Sequence, residues 1–136
     1  MKAGLARYAA SYDAPLAGIG VDTWGVDYAL LDTHGRLLGN PYNYRDPRTE
    51  GMLAHIDTLI PRNELFAQTG MQFLPINTLY QLASMVQSKD PQLAMADTLL
   101  MIPDLFHYWM TGAKVAEYTN ATTTQLLNCK DRRAHV

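Results

Sequence analysis

Apolar positions recur every three to four residues near the start of the chain. Leu5, Tyr8, Ala9 and Tyr12 fall on one face, and residues 2 to about 12 predict a short helix. The spacing changes after Pro15. Residues 16–21 form a run of small and branched side chains and predict a buried strand; VDYALL, residues 26–31, predicts a second. DTHGR, residues 32–36, predicts a turn with Gly35 at positive φ. GNPYNYRDPRT then runs extended, and helical spacing returns over about 49–59, 62–69 and 77–88. TLLMI, residues 98–102, predicts another short buried strand. PDLFHYWMTG predicts a helix with Pro103 in its first turn and Gly112 at its end. EYTNATTTQLLN is hydroxyl-rich and predicts a turn with a short helix.

A helix, two strands, then helices with one late strand point to an α/β layer rather than a bundle. So few strands leave a sheet with open edges and an uncovered face, so the expected unit is a partial domain.

The stretch GIGVDTWGVDY, residues 18–28, invites a nucleotide-binding reading. A dinucleotide fingerprint places its third glycine where Thr23 stands, and opens a helix where Val26, Tyr28 and Leu30 alternate like a strand. Gly20 and Gly25 have Walker A spacing, but Val26 occupies the lysine position. Both phosphate-loop readings fail. Gly18 and Gly20 then read as close packing within a strand. Gly25 follows DTW at the predicted strand's end, where α/β proteins place ligands. Asp22 and Thr23 bring a carboxylate and a hydroxyl to that rim, and Trp24 a flat apolar wall. With the bare backbone of Gly25, this set suits a sugar: acceptors for hydroxyls and a platform for a C–H face.

YRDPRT admits two readings. One is a solvated charge cluster with Thr49 as an N-cap and Glu50 favouring the helix dipole. The other is a second set of sugar contacts, with Asp46 accepting and Arg45 donating. In FLPINTLYQL, Asn77 or Thr78 is expected to cap the helix carrying Tyr80. The hydroxyls of residues 119–124 are expected to serve caps and turns. His34, His55, His107 and His135 lack metal-ligand spacing, so no metal site is expected.

Composition narrows the classes. Of 136 residues, 48% are hydrophobic, enough for a core and too many for a disordered chain. The formal net charge of −2 comes with no basic stripe, so no nucleic-acid partner is expected. No apolar run approaches the roughly 20 residues that span a bilayer, and the N-terminus has no signal-peptide pattern. Cys129 is the single cysteine, so no internal disulfide forms. The expectation is a cytoplasmic globular protein.

Five segments in one order carry a resemblance: GIGVDTWGVDYALLD, PYNYRDPRT, TGMQFLPINTLYQL, MIPDLFHYWMTG and EYTNATTTQLLN. They resemble the N-terminal domain of FGGY carbohydrate kinases over about residues 16–129, with DTWGVDY and NATTTQL similar to the rhamnulokinase branch. The resemblance implies an actin-like or ribonuclease-H-like α/β fold of two domains around a cleft. It implies transfer of a phosphoryl group from ATP, with Mg2+, to the 1-hydroxyl of L-rhamnulose, a ketose. Gly25 matches a sugar-binding position; Asp22, Thr23 and Trp24 follow by adjacency, and Arg45 and Asp46 match a segment beside the sugar. The family's first strands, its phosphate loop, its catalytic aspartate and its adenosine pocket find no match in these residues, and residues 130–136 depart from the pattern. Hence no catalytic or cofactor-binding residue is expected in this chain, neither ATP nor Mg2+ is expected to bind it alone, and the isolated chain is expected to be inactive. A complementing chain or a homodimer would repair the sheet. The alternatives are a stand-alone sugar- or partner-binding module and a non-functional remnant.

Overall fold

The computed structural model describes residues 1–131. At its centre two short strands, β1 (Tyr28–Leu31) and β2 (Thr98–Met101), pair antiparallel with Tyr28 opposite Met101 and Leu30 opposite Leu99. Every residue of β1 is buried, because both faces of the ribbon are covered. Tyr28, Leu30, Leu99 and Met101 pack against Leu82 and Met85 of helix α4 (Thr78–Ser88) and Leu93 of α5 (Pro91–Met95). Ala29, Leu31 and Leu100 pack against Leu105 and Tyr108 of α6 (Ile102–Thr111). A third cluster joins Met52 and Ile56 of α2 (Met52–Leu59), Leu65 of α3 (Arg62–Thr69) and Tyr80 of α4. The last helix, α7 (Tyr118–Thr122), is capped by Glu117, whose carboxylate accepts from the Thr119 and Asn120 amides.

Most elements fall where periodicity placed them. α6 carries a proline in its first turn and ends on Gly112 at φ 76°. Gly35 sits at φ 73° in its turn, where Asp32 accepts from the amides of His34 and Arg36. The hydroxyls of Thr122, Thr123 and Thr124 donate back to the carbonyls of Thr119, Asn120 and Ala121.

Four expectations are corrected. Residues 16–21 form no strand: Leu16 and Ile19 are exposed, and no ladder partner satisfies their backbone among the described residues. Gly18 and Gly20 allow no close packing, because a Cβ on either would meet nothing within 4 Å. The helix expected from residue 49 starts at Met52. Asp46, not Thr49, caps a separate 3-10 turn, Pro47–Thr49, and Thr49 is buried inside it. Asn77 holds the N-cap position of α4 but makes no side-chain cap; its amide donates instead to the Gln72 carbonyl and to Gln125 Oε1. Helix α5 was not anticipated, although Asp90 followed by Pro91 is a start signal: Asp90 accepts from the Gln92 amide. Helix α1 (Lys2–Ser11) forms as expected but buries none of its residues. Residues 132–136, most of the off-pattern tail, lie outside the described residues.

Candidate functional site

The turn at Gly25 closes tightly on itself. The Asp27 amide donates to the Gly25 carbonyl at 2.9 Å, and the residue between them, Val26, has φ 65°. An i to i+2 bond around a positive φ describes the rare γ-turn, and a β-branched residue pays about 1–3 kcal/mol to sit there. The surrounding structure must therefore hold it. The Val26 carbonyl points inward and accepts from Gln81 Nε2 at 3.0 Å, with Thr78 Oγ1 at 3.5 Å.

Gly25 and Trp24 face different surroundings. Gly25 is half-buried, and a Cβ there would lie 3.3 Å from Asn120 Oδ1 and 3.9 Å from Thr123 Oγ1. A side chain there would crowd Asn120 of the NATTT segment, whose amide would have to shift by a few tenths of an ångström. The side chain of Trp24, 51% exposed, turns the other way, and its indole N–H donates to Asp27 Oδ2 at 2.6 Å. Asp27 is 2% exposed and its Oδ1 has no partner among the described residues. Trp24 and Asp27 line an open cavity of about 370 Å³ with Asn40, Asn43, Phe106 and Trp109.

The remaining candidates are less closely held. Asp22 is exposed, and the Thr23 hydroxyl donates to the Trp24 carbonyl at 3.3 Å. Arg45 is exposed and its Nε donates to the Tyr44 hydroxyl at 3.2 Å. Asp46 Oδ1 accepts from the Arg48 amide at 2.9 Å, which leaves the other oxygen available. No hydrogen bond joins Arg45 or Asp46 to residues 22–25 among the described residues, although Asn43 shares the cavity beside Trp24.

Four contributors were missed as site residues. Asp27 anchors Trp24. Asn120 packs against Gly25. Gln81 and Arg48 support the turn from behind: Arg48 Nη2 donates to Gln81 Oε1 at 2.7 Å, and its guanidinium stacks 4.0 Å from the Tyr42 ring centre. The available signal was a polar residue at a position that helix α4 buries, Gln81 among Tyr80, Ser84 and Met85. Burial raises the Tyr28 hydroxyl above its ordinary pKa, opposed by the nearby Arg48 charge, and Tyr28 stays a neutral donor to Met85 Sδ at 3.1 Å. Burial likewise raises the Asp104 carboxyl at the start of α6, against one hydrogen bond from the Glu117 amide.

Among the described residues, no group of three His, Cys, Asp or Glu side chains could hold a metal ion, and no helix is long and apolar enough to cross a membrane. The model of the FGGY family of carbohydrate kinases, N-terminal domain, matches residues 9–133, and the chain belongs to that family. It is 53% identical over 114 residues to a rhamnulokinase of Pectobacterium atrosepticum, covering 84% of this chain and 23% of that protein. It is 51% identical over 110 residues to a rhamnulokinase of Klebsiella pneumoniae, covering 81% and 22%. The chain thus spans about a quarter of the length of these relatives. Among solved structures, a xylulose kinase from Rhodospirillum rubrum superposes with a TM-score of 0.85 at 19% identity, over 98% of this chain and 28% of the other. Plasmodium falciparum glycerol kinase with ADP gives 0.81 at 18%, over the same shares. The fold is therefore a part of the actin-like α/β fold of these kinases, and family membership favours a piece of a phosphotransferase over a stand-alone binding module.

Proposed function

We propose that this chain forms part of the sugar-binding wall of an ATP-dependent, cytoplasmic carbohydrate kinase whose substrate is a ketose, L-rhamnulose. The observation that carries this reading is the turn at Gly25. Val26 holds a strained φ within it, Asn120 crowds the place of a Gly25 side chain, and the Gly25 N–H has no partner among the described residues. A rigid donor of this kind receives a sugar oxygen without reorganising. Asp22 and Thr23 contribute a carboxylate and a hydroxyl to the same rim, and Trp24 an aromatic face. Arg45 and the free oxygen of Asp46 complete the contacts on the far side.

We assign the described residues no contact with ATP or Mg2+; the stretch around Gly20 and Gly25 carries Val26 where a phosphate loop has its lysine. No phosphoryl-transfer step is assigned to them. Their part in the reaction is to bind and orient the ketose, because positioning is a large share of catalysis in phosphoryl transfer. The chain by itself binds sugar without turning it over, and a complementing chain or a second copy covers the open edges of the sheet.

A thermal melt of the purified chain with millimolar L-rhamnulose, and separately with ATP, tests this. A ligand at ten times its Kd stabilises the native state by about 1.4 kcal/mol, a rise of about 5 °C for a domain of this size. A cooperative transition raised by the sugar and not by ATP is expected. A melt indifferent to L-rhamnulose overturns the assignment, and so does ATP-dependent phosphorylation of rhamnulose by the chain alone.

A further inference from the structure

We propose that Gln81 is the positioning residue of the Gly25 turn, an amide that fixes the peptide between Val26 and Asp27 and ties the turn to the loop at residues 72–77. The proposal rests on the reading of that turn as a sugar contact.

Gln81 is 1% exposed, on a helix that also buries Thr78, Tyr80, Ser84 and Met85. A buried amide costs free energy unless its partners repay it, so its contacts explain its presence. Both of its N–H donors are used: one goes to the Val26 carbonyl at 3.0 Å, the other to the Ile76 carbonyl at 2.8 Å. Its oxygen accepts from Arg48 Nη2 at 2.7 Å. This arrangement has only one workable orientation. Rotating the amide would set its N–H groups against a guanidinium, which has no acceptor, and its oxygen against two carbonyls, which have no donor. Arg48, seated over the Tyr42 ring, therefore dictates which way the amide faces, and the amide dictates where the Val26 carbonyl points.

The consequence falls on Gly25. Val26 occupies φ 65°, a region that a β-branched residue leaves unless held. With the carbonyl drawn inward, the Asp27 amide closes onto the Gly25 carbonyl, so the chain leaving Gly25 is held from its carbonyl side. The second donor holds Ile76, and Asn77 beside it bonds Gln72 and Gln125. One side chain thereby sets the spacing of two loops.

The test uses the full chain, isotope-labelled, as parent, Gln81→Met, Gln81→Glu and the control Ile56→Val. Ile56 lies in the α2 cluster away from the turn. Gln81→Glu keeps the length and the acceptor for Arg48 but has no donor for Val26 or Ile76. NMR reads the Val26 φ through its intraresidue amide-to-Hα contact, and a titration reads L-rhamnulose affinity. Both Gln81 variants are expected to move Val26 to negative φ and to weaken sugar binding by about tenfold. Ile56→Val is expected to lower the melting temperature and change neither reading. If Gln81→Met does not fold, Gln81→Glu decides alone. Parent values for either reading in Gln81→Glu overturn the proposal. A parent chain that binds no L-rhamnulose sinks the sugar assignment instead, and the Val26 conformation still decides whether Gln81 holds the turn.

Discussion

Replacing Trp24 by phenylalanine isolates one interaction at the Gly25 turn. The indole N–H donates to Asp27 Oδ2 at 2.6 Å, and Asp27 is 2% exposed with its other oxygen unpartnered among the described residues. Phenylalanine keeps an aromatic ring but removes the donor, leaving a buried carboxylate with less compensation. A hydrogen bond to a charged group contributes about 1.5–3 kcal/mol. Trp24 is half-exposed, so water replaces part of the loss, and about 2 kcal/mol is expected. For a chain of this length that lowers the melting temperature by roughly 7 °C. The assay is urea denaturation at neutral pH of the parent, Trp24→Phe, Asp27→Asn and the double variant. In the Asp27→Asn background the bond is neutral, and removing Trp24 is expected to cost only about 1 kcal/mol. Because the ring remains, Trp24→Phe should also retain most of any sugar-induced stabilisation, whereas Trp24→Ala should lose it. A Trp24→Phe chain within about 0.5 kcal/mol of the parent refutes the reasoning, since such a value is typical of an inconsequential surface change.

The turn at residues 32–36 offers two further tests. Gly35→Ala places a Cβ at φ 73° and against the Tyr108 hydroxyl, and should cost at least about 1–2 kcal/mol in chemical denaturation. Asp32, whose carboxylate accepts from the backbone of Arg36 first and then from its side chain and from His34, is held down to a pKa of about 2. A depressed carboxyl contributes stability above its unfolded value of about 3.9 and loses it as pH falls through the folded one. Asp32→Asn should therefore flatten the melting-temperature decline between about pH 4 and pH 2 and leave the neutral-pH slope alone.

How much of this was legible beforehand depended on the reach of the forces involved. Helices α3, α4 and α6 were readable because their spacing and their terminal signals, such as Pro103 and Gly112, act within a few residues. The same holds for the Gly35 turn and for the threonine back-bonds in α7. The five ordered motifs were enough to place the chain in its family, and the residue types of DTWG mark it as a candidate ligand rim. Tertiary structure alone decided the rest. Residues 16–21 carry strand composition, yet a strand exists only when another backbone pairs with it, and no sequence window contains that partner. The Val26 conformation contradicts its own local preference and persists because Gln81, fifty-five positions away in the chain, draws its carbonyl inward. Asn120 and Gly25 meet for the same kind of reason: the fold brings them together, and only then does the absence of a side chain at Gly25 matter.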